Sequence, residues 1–347
     1  MNIWLKHADE IIIVAPIDPT AMPGPIDLAY MHNNISFIEV PSFDLLGIKS
    51  LMVPLTVLQI FSTCIRAMKD TDHIHLRCPG NMGLIGCIAQ IFFPSKKKTA
   101  KYAGNWDWQS KQPWSYRLQQ RILRNTFFTK NMAALVYGDW PDTTKNIKPF
   151  FTASYSRSEI RNVEAKMLNV DQTLKLIFVG ALLQGKNPFL SLCIAEELKL
   201  AGLKPEIHFY GDGPERKKLE TYIQQKNLGD IAFLHGNVDS KALITAYEQS
   251  HFLVFISKSE GWPKVVAEGM FWGCLPIATN VSCIKNMVDN ENRGIIIDLN
   301  LENDVEKINF IINNPDIYHQ KTNKALSWSR RFTNDFFENE IKKLLEN

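Results

Sequence analysis

Apolar positions in the second half of the chain gather into short continuous runs, separated by stretches with helical period. LKLIFVG at 174–180, EIHFYG at 206–211, IAFLHG at 231–236, HFLVFIS at 251–257 and CLPIAT at 274–279 read as strands. Between the first two, Asn187 is placed to cap a helix, Pro188 to open it and Gly202 to stop it. Further helices are expected over 215–227, near 240–248 and from Pro263. Runs without inside–outside alternation mark strands covered on both faces, so this half predicts a parallel sheet in an α/β doubly wound domain.

The first half repeats the alternation more loosely, with strands expected at 10–16, 35–41, 73–79, 99–104, 133–138 and 149–155. Two domains follow, over 1–160 and 161–317. The final stretch, 318–347, is helical with Trp328, Phe332, Phe336 and Phe337, and is expected to pack back on the first domain. Open α/β sheets bind ligands outside the carboxyl ends of their strands, which places a site in a cleft between two such domains.

Composition narrows the class. The chain has 347 residues, 45% hydrophobic and 22% charged, with a net charge of only +3, which gives no sign of a dedicated nucleic-acid binder. Six scattered cysteines lack metal-site spacing and read as buried thiols; with no signal peptide, a cytoplasmic location is expected. The apolar run from Leu51 to Ile65 is too short and too interrupted to span a bilayer.

The densest chemistry is SEGWPKVVAEGMFWGCLPIAT, 259–279. A strand ends, Gly261 turns, and Pro263 opens a helix at the position where its missing N–H costs nothing. Amides around Gly261, Trp262, Pro263, Lys264 and Val265, with the positive end of the helix dipole, suit a diphosphate or sugar hydroxyls. Glu268 lies one turn deeper and can accept hydrogen bonds from ribose hydroxyls, while Glu260 meets the sugar. The bland reading makes Glu260 a surface acid and pairs Glu268 with Lys264 four residues earlier. GALLQGKNP at 180–188 sets Gly180 and Lys186 before a helix N-terminus, suited to a diphosphate, and YGDGP at 210–214 brings Gly213 to the same sheet edge.

These pieces, with FLHGNV at 233–238 and Tyr247, resemble the family 4 retaining glycosyltransferases of the GT-B fold, the "glycosyl transferases group 1" of bacterial polysaccharide, capsule and lipopolysaccharide synthesis. The resemblance is strongest over 174–298. It implies two Rossmann-like domains facing across a cleft, a UDP- or GDP-sugar donor, a glycan or lipid-linked acceptor, retention of configuration, and no metal or cofactor. Glu268 then takes the ribose, Glu260 stands beside the sugar, and Lys186 holds the leaving diphosphate. Gly180, Gly213, Gly261, Trp262, Pro263, Lys264, Val265 and Val238 line the donor. Two departures stand out. Ala181 occupies the position of the family's arginine, with Lys264 or Arg77 as substitutes. The opening NIWLKHADEIIIVAP resembles a helix tail entering the second strand, so the N-terminal domain is expected to lack its first strand.

In the N-terminal half, HLRCPGNMG at 75–83 offers His75, which the resemblance puts near the sugar, and Arg77; Gly104 and Asn105 join Arg77 on the acceptor side. The alternative for His75 is a satisfied strand histidine. Arg117, Arg121 and Arg124 fall on one helical face beside Trp114, suited either to anionic lipid at the inner membrane face or simply to solvent. Two rival functions remain open at this level: a nucleotide-sugar epimerase of the same architecture, and a truncated, non-catalytic nucleotide-sugar-binding protein.

Overall fold

The computed structural model describes residues 2–22, 28–43, 53–141, 143–161, 163, 165–169 and 171–346. Leu51 and Met52, the start of the apolar run noted above, lie outside them. The chain divides into two compact units, 1–151 with 335–347, and 152–334. The crossings thus fall at 151/152 and 334/335, against 160 and 317 from sequence.

Unit 1 begins with α1 (Asn2–Leu5), β1 (Ile11–Ala15), β2 (Ile35–Glu39), α2 (Val53–Lys69) and β3 (His73–Cys78). It continues through α3 (Asn81–Ala89), β4 (Lys97–Tyr102), α4 (Trp114–Arg124), β5 (Met132–Tyr137) and β6 (Ile147–Phe150). All pairings are parallel, but they form two sheets, β1-β2 and β3-β4-β5-β6, with no ladder joining them among the described residues. Ile60, Ile74, Leu76, Ala100, Leu123 and Ala134 are in its buried core.

Unit 2 holds one six-stranded sheet, all parallel, in the order β12-β11-β10-β7-β8-β9. Its strands are β7 (Leu174–Val179), β8 (Pro205–Tyr210), β9 (Ala232–Gly236), β10 (Phe252–Phe255), β11 (Leu275–Thr279) and β12 (Ile295–Ile297). Its helices are α5 (Pro188–Leu200), α6 (Arg216–Gln225), α7 (Ser240–Gln249), α8 (Lys264–Phe271), α9 (Ile284–Met287), α10 (Leu301–Ile312) and α11 (Pro315–Ser329). Every residue of β10 and β11 is buried, which explains why those stretches read as unbroken apolar runs. The expected single helical tail is instead two helices, α11 and α12 (Asn334–Glu346), and only the second belongs with unit 1. There α12 sets Phe337 against Phe150 and over the Lys101 ammonium, 4.9 Å from the ring centre.

One core histidine ties the centre of unit 2 together. The Lys175 amide donates to His251 Nδ1 at 3.0 Å, and the His251 carbonyl accepts from the Tyr318 hydroxyl. Burial first, then the charges of Lys166 and Lys175, lower its pKa to about 4. The unfolded chain therefore takes up this proton first, so stability is present above about pH 6.5 and falls as pH drops toward 4. We expect His251→Gln to flatten acid denaturation in that window, where the wild type loses up to about 3 kcal/mol. Urea unfolding at pH 7 and pH 4.5 measures the difference.

Candidate functional site

In this sheet the strand order reverses between β7 and β10, the place where open α/β sheets bind ligands. Both charged candidates emerge there. After β7, Gly180 takes φ +144°, and a short turn at Gln184–Lys186 leads to Asn187, which caps α5 at φ +47° before Pro188. After β10, Ser257, Glu260 and Gly261 lead into α8. Lys186 Nζ reaches Glu260 Oε1 at 2.8 Å, and the Ser257 hydroxyl donates to the same oxygen at 2.8 Å. The carboxylate is 18% exposed and the ammonium 30%, so the pair is partly shielded yet open to a ligand.

The turn that aims α8 is pinned from β11. Ser257 N donates to Thr279 Oγ1, Thr279 Oγ1 donates back to the Ser257 carbonyl, and Ser282 Oγ donates to the Gly261 carbonyl at 2.6 Å. Pro263 is the N-cap of α8, one residue before the helical position expected from sequence; its carbonyl accepts from Val266 N at 3.0 Å. Proline serves equally well here because the cap contributes its carbonyl, not its N–H. Amides of the first turn, at Lys264 and Val265, have no acceptor within the helix, and the dipole favours an anion in front of them.

Glu268 sits one turn into α8 and is 13% exposed. Ser154 Oγ donates to its Oε1 at 2.6 Å, and the Tyr247 hydroxyl to its Oε2 at 3.3 Å. Lys264 Nζ stands 3.9 Å away, so the bland ion pair exists, but as the longest of three contacts. Tyr247 is fully buried, and burial together with the Glu268 charge keeps its hydroxyl protonated and donating. The carboxylate is thus held in one orientation by groups behind it.

The glycine turn after β8 rides directly on the loop after β7. Leu182 N donates to the Asp212 carbonyl, and Gly180 N to that of Tyr210. A Cβ on Gly211, at φ +131°, would stand 2.1 Å from the Gly180 carbonyl oxygen, and one on Gly213 2.6 Å from that of Leu182. We expect Gly211→Ala to destabilise unit 2 by about 2 kcal/mol or more, read as a lower midpoint in denaturant. Val238, exposed after β9, lies at the same end of the sheet, ahead of Asp239, the cap of α7. The Trp262 ring lies 6.4 Å from that of Trp328 and 6.0 Å from that of Phe332.

In unit 1 the candidates part company. His75 Nδ1 bonds Thr99 Oγ1 at 2.8 Å and its ring lies 4.1 Å from that of Trp4. Burial, then the charges of His73, Arg77 and Lys101, lower its pKa to about 3, so it is neutral at pH 7. Its setting is that of the satisfied strand histidine. Asn105 is buried, its Oδ1 accepting from Asp107 N and its carbonyl from Gln112, so these groups stabilise a turn. Gly104 packs on Pro79. Arg77 is exposed and lines a cavity of about 330 Å³ with Pro16, Pro41, Phe43 and Gly80. On α4, Arg117 and Arg121 are exposed; the Arg121 and Arg124 guanidiniums lie over Trp108 at 5.8 and 5.3 Å.

Of the residues that bond to the two carboxylates, Ser154, Ser257 and Tyr247 carried no assigned role in the sequence reading, and Tyr247 appeared only in the resemblance. Ser154 comes 114 residues before Glu268, inside the strand expected at 149–155, and lies past the end of the observed strand at Phe150; nothing local marks it for this role. Ser257 was visible only as the end of a strand.

A six-stranded sheet of this order, in a chain whose other unit is also parallel α/β, fits the two-Rossmann-domain GT-B architecture. HepE of Anabaena, solved in complex with UDP, has the same fold: TM-score 0.63, 14% identity, 90% of this chain and 86% of that one. Sucrose-phosphate synthase of Thermosynechococcus elongatus aligns over 97% of this chain and 98% of its own, at TM-score 0.62 and 14% identity. Within this architecture, residues 159–328, most of unit 2, match the family described as glycosyl transferases group 1. An uncharacterized glycosyltransferase of Methanocaldococcus jannaschii is 28% identical over 158 residues, 45% of this chain and 43% of that protein. The chain matches less than half the length of the curated relatives found.

Proposed function

We propose that the protein is a retaining glycosyltransferase that moves a hexose-type sugar from a UDP- or GDP-sugar to a glycan or lipid-linked acceptor. One observation carries the reading: Lys186 and Glu260, from the loops of the two strands flanking the reversal point, meet at 2.8 Å beside the N-terminus of α8, which also bears Glu268. Glu268, oriented by Ser154 and Tyr247, accepts the ribose hydroxyls. The diphosphate faces the first-turn amides of α8 and takes Lys186 from its present partner. Glu260 keeps its bond from Ser257 and turns to the sugar. As the sugar–phosphate bond breaks, negative charge grows on the leaving diphosphate, where a fixed ammonium and helix dipole stabilise it. Retention implies attack by the acceptor hydroxyl from the leaving-group face.

No step is routed through His75, whose ring is covered by Trp4 and committed to Thr99. Arg77, in its cavity, is the remaining acceptor-side candidate. Exposed Arg117 and Arg121 on α4, half-buried Arg124 and exposed Trp114 suit anionic headgroups at the inner face of a cytoplasmic membrane, where a lipid-linked acceptor resides. Among the described residues no helix is long and apolar enough to cross a membrane.

A thermal-shift panel of UDP-, GDP- and dTDP-sugars tests the donor reading, and matching sugar nucleotides raise the melting temperature. An absence of any shift at saturation would overturn it, and an epimerised sugar nucleotide formed without acceptor would replace transfer by epimerisation. Because Lys186 and α8 supply the positive charge, turnover is expected to survive excess EDTA. A chelator-sensitive rate restored by magnesium would move leaving-group stabilisation to a bound cation.

A further inference from the structure

Unit 2 carries a second concentration of positive charge, on α11 and the loop before β12. Lys324, Ser327, Trp328 and Arg331 recur at i, i+3, i+4 and i+7, so one face of α11 and the turn that follows presents them together. With Asp289 and Arg293 they line an open cavity of about 430 Å³. Arg293 is its fixed wall. Only 15% exposed, it donates to the carbonyls of Met287 at 3.0 Å and Asn286 at 2.8 Å, and its guanidinium lies 4.8 Å from the centre of the Trp328 ring.

The charges there do not balance. Asp289 stands 3.8 Å from Arg293 and is the cavity's one carboxylate. Arg331 is exposed, its Nε donating to the Trp328 carbonyl at a long 3.4 Å, and it has no ion pair among the described residues. Lys324 is likewise exposed and without an ion pair among them. Like charges held together cost free energy unless an anion joins them, and a guanidinium fork matches phosphate oxygens. Trp328 cannot serve as a stacking platform, since Arg293 lies on its ring and Trp262 and Phe332 pack around it. The cavity selects for charge rather than for an aromatic base.

We propose that Arg293, Lys324 and Arg331 form a binding site for a small phosphorylated anion, separate from the strand-end site of Lys186, Glu260 and Glu268. Arg331 and Lys324 contact the phosphate, while Arg293 and Ser327 wall the cavity. The assignment does not depend on the transferase reading, and its test uses no nucleotide sugar.

The probe is inorganic pyrophosphate, titrated into the full chain labelled with 15N at the tryptophan indoles, with the Trp328 signal assigned through Trp328→Phe. Pyrophosphate is expected to shift that signal saturably in the millimolar range or below, where sodium chloride of equal ionic strength does not. Lys324→Ala with Arg331→Ala should weaken the response at least about tenfold, the other indole signals staying in place as evidence of an intact fold. An unmoved Trp328 signal, an equal response to chloride, or an undiminished response in the double variant would overturn the site. Binding confined to the strand-end loops, seen as a shift of Trp262 alone, would overturn it as well.

Discussion

Glu268→Ala is expected to weaken UDP binding by about 10- to 100-fold, the loss of charge-assisted hydrogen bonds worth about 1.5–3 kcal/mol. The size follows from how the carboxylate is held. Ser154 at 2.6 Å and Tyr247 at 3.3 Å fix it before ligand arrives, so little side-chain entropy remains to be lost on binding. Glu268→Gln keeps an acceptor but loses the charge, and should fall between wild type and alanine. Ser154→Ala removes orientation only, so its smaller loss should not add to that of Glu268→Ala. Calorimetric titration with UDP of the wild type, the three single variants and the Ser154→Ala/Glu268→Ala double variant gives these numbers. Equal affinity in wild type and Glu268→Ala would take this residue out of the site and leave it a partner of Lys264 and Tyr247.

Lys186→Ala is expected to reduce kcat by about 10²–10³-fold while the donor KM changes less, because the ammonium is needed most when the diphosphate leaves. The ligand-free geometry sharpens this. Lys186 is paired with Glu260 at 2.8 Å, so part of its attraction for the donor is offset by the partner it gives up on binding. That cost bears on ground-state affinity, whereas the charge that develops in the transition state acts in full. Lys186→Arg should restore part of the rate. Initial rates of UDP release across donor concentrations separate the two constants. A pure KM effect would make Lys186 a binding residue with no share in leaving-group stabilisation.

Much of unit 2 was legible because its strands are buried on both faces. β7, β10 and β11 could not be written in this fold without continuous apolar runs, and Pro188 opens α5 and Gly202 follows its end as expected, while Asn187 stands at the N-cap position without a side-chain cap bond. β12 escaped notice: three isoleucines at Ile295–Ile297 are too short a run to declare a strand without the neighbour they pair with. The break between α11 and α12 also passed unread, since residues 330–333 contain neither glycine nor proline, and tertiary packing ends the helix there.

At the site, local pattern placed residues near strand ends but did not pair them. Lys186 and Glu260 are 74 positions apart, and only the adjacency of β7 and β10 brings them within hydrogen-bonding distance. Ser154 was legible only as part of an expected strand at 149–155, which ends at Phe150. Unit 1 was read less well for a related reason. Arg77, Asn105 and His75 all follow or occupy strands, yet the choice between facing a cavity and serving the core depends on Trp4, Thr99 and Asp107, contacts that strand alternation does not encode.

The loops after β7 and β10, with α8, are proposed to hold a nucleoside diphosphate. A crystal structure of the full chain grown with saturating UDP tests this most directly. The expected electron density shows ribose hydroxyls on the Glu268 carboxylate, the diphosphate before the amides of Lys264 and Val265, and the Lys186 ammonium moved from Glu260 to a phosphate oxygen. Nucleotide bound elsewhere, or a diphosphate at these loops with the Lys186–Glu260 pair intact and Glu268 untouched, would contradict the proposal.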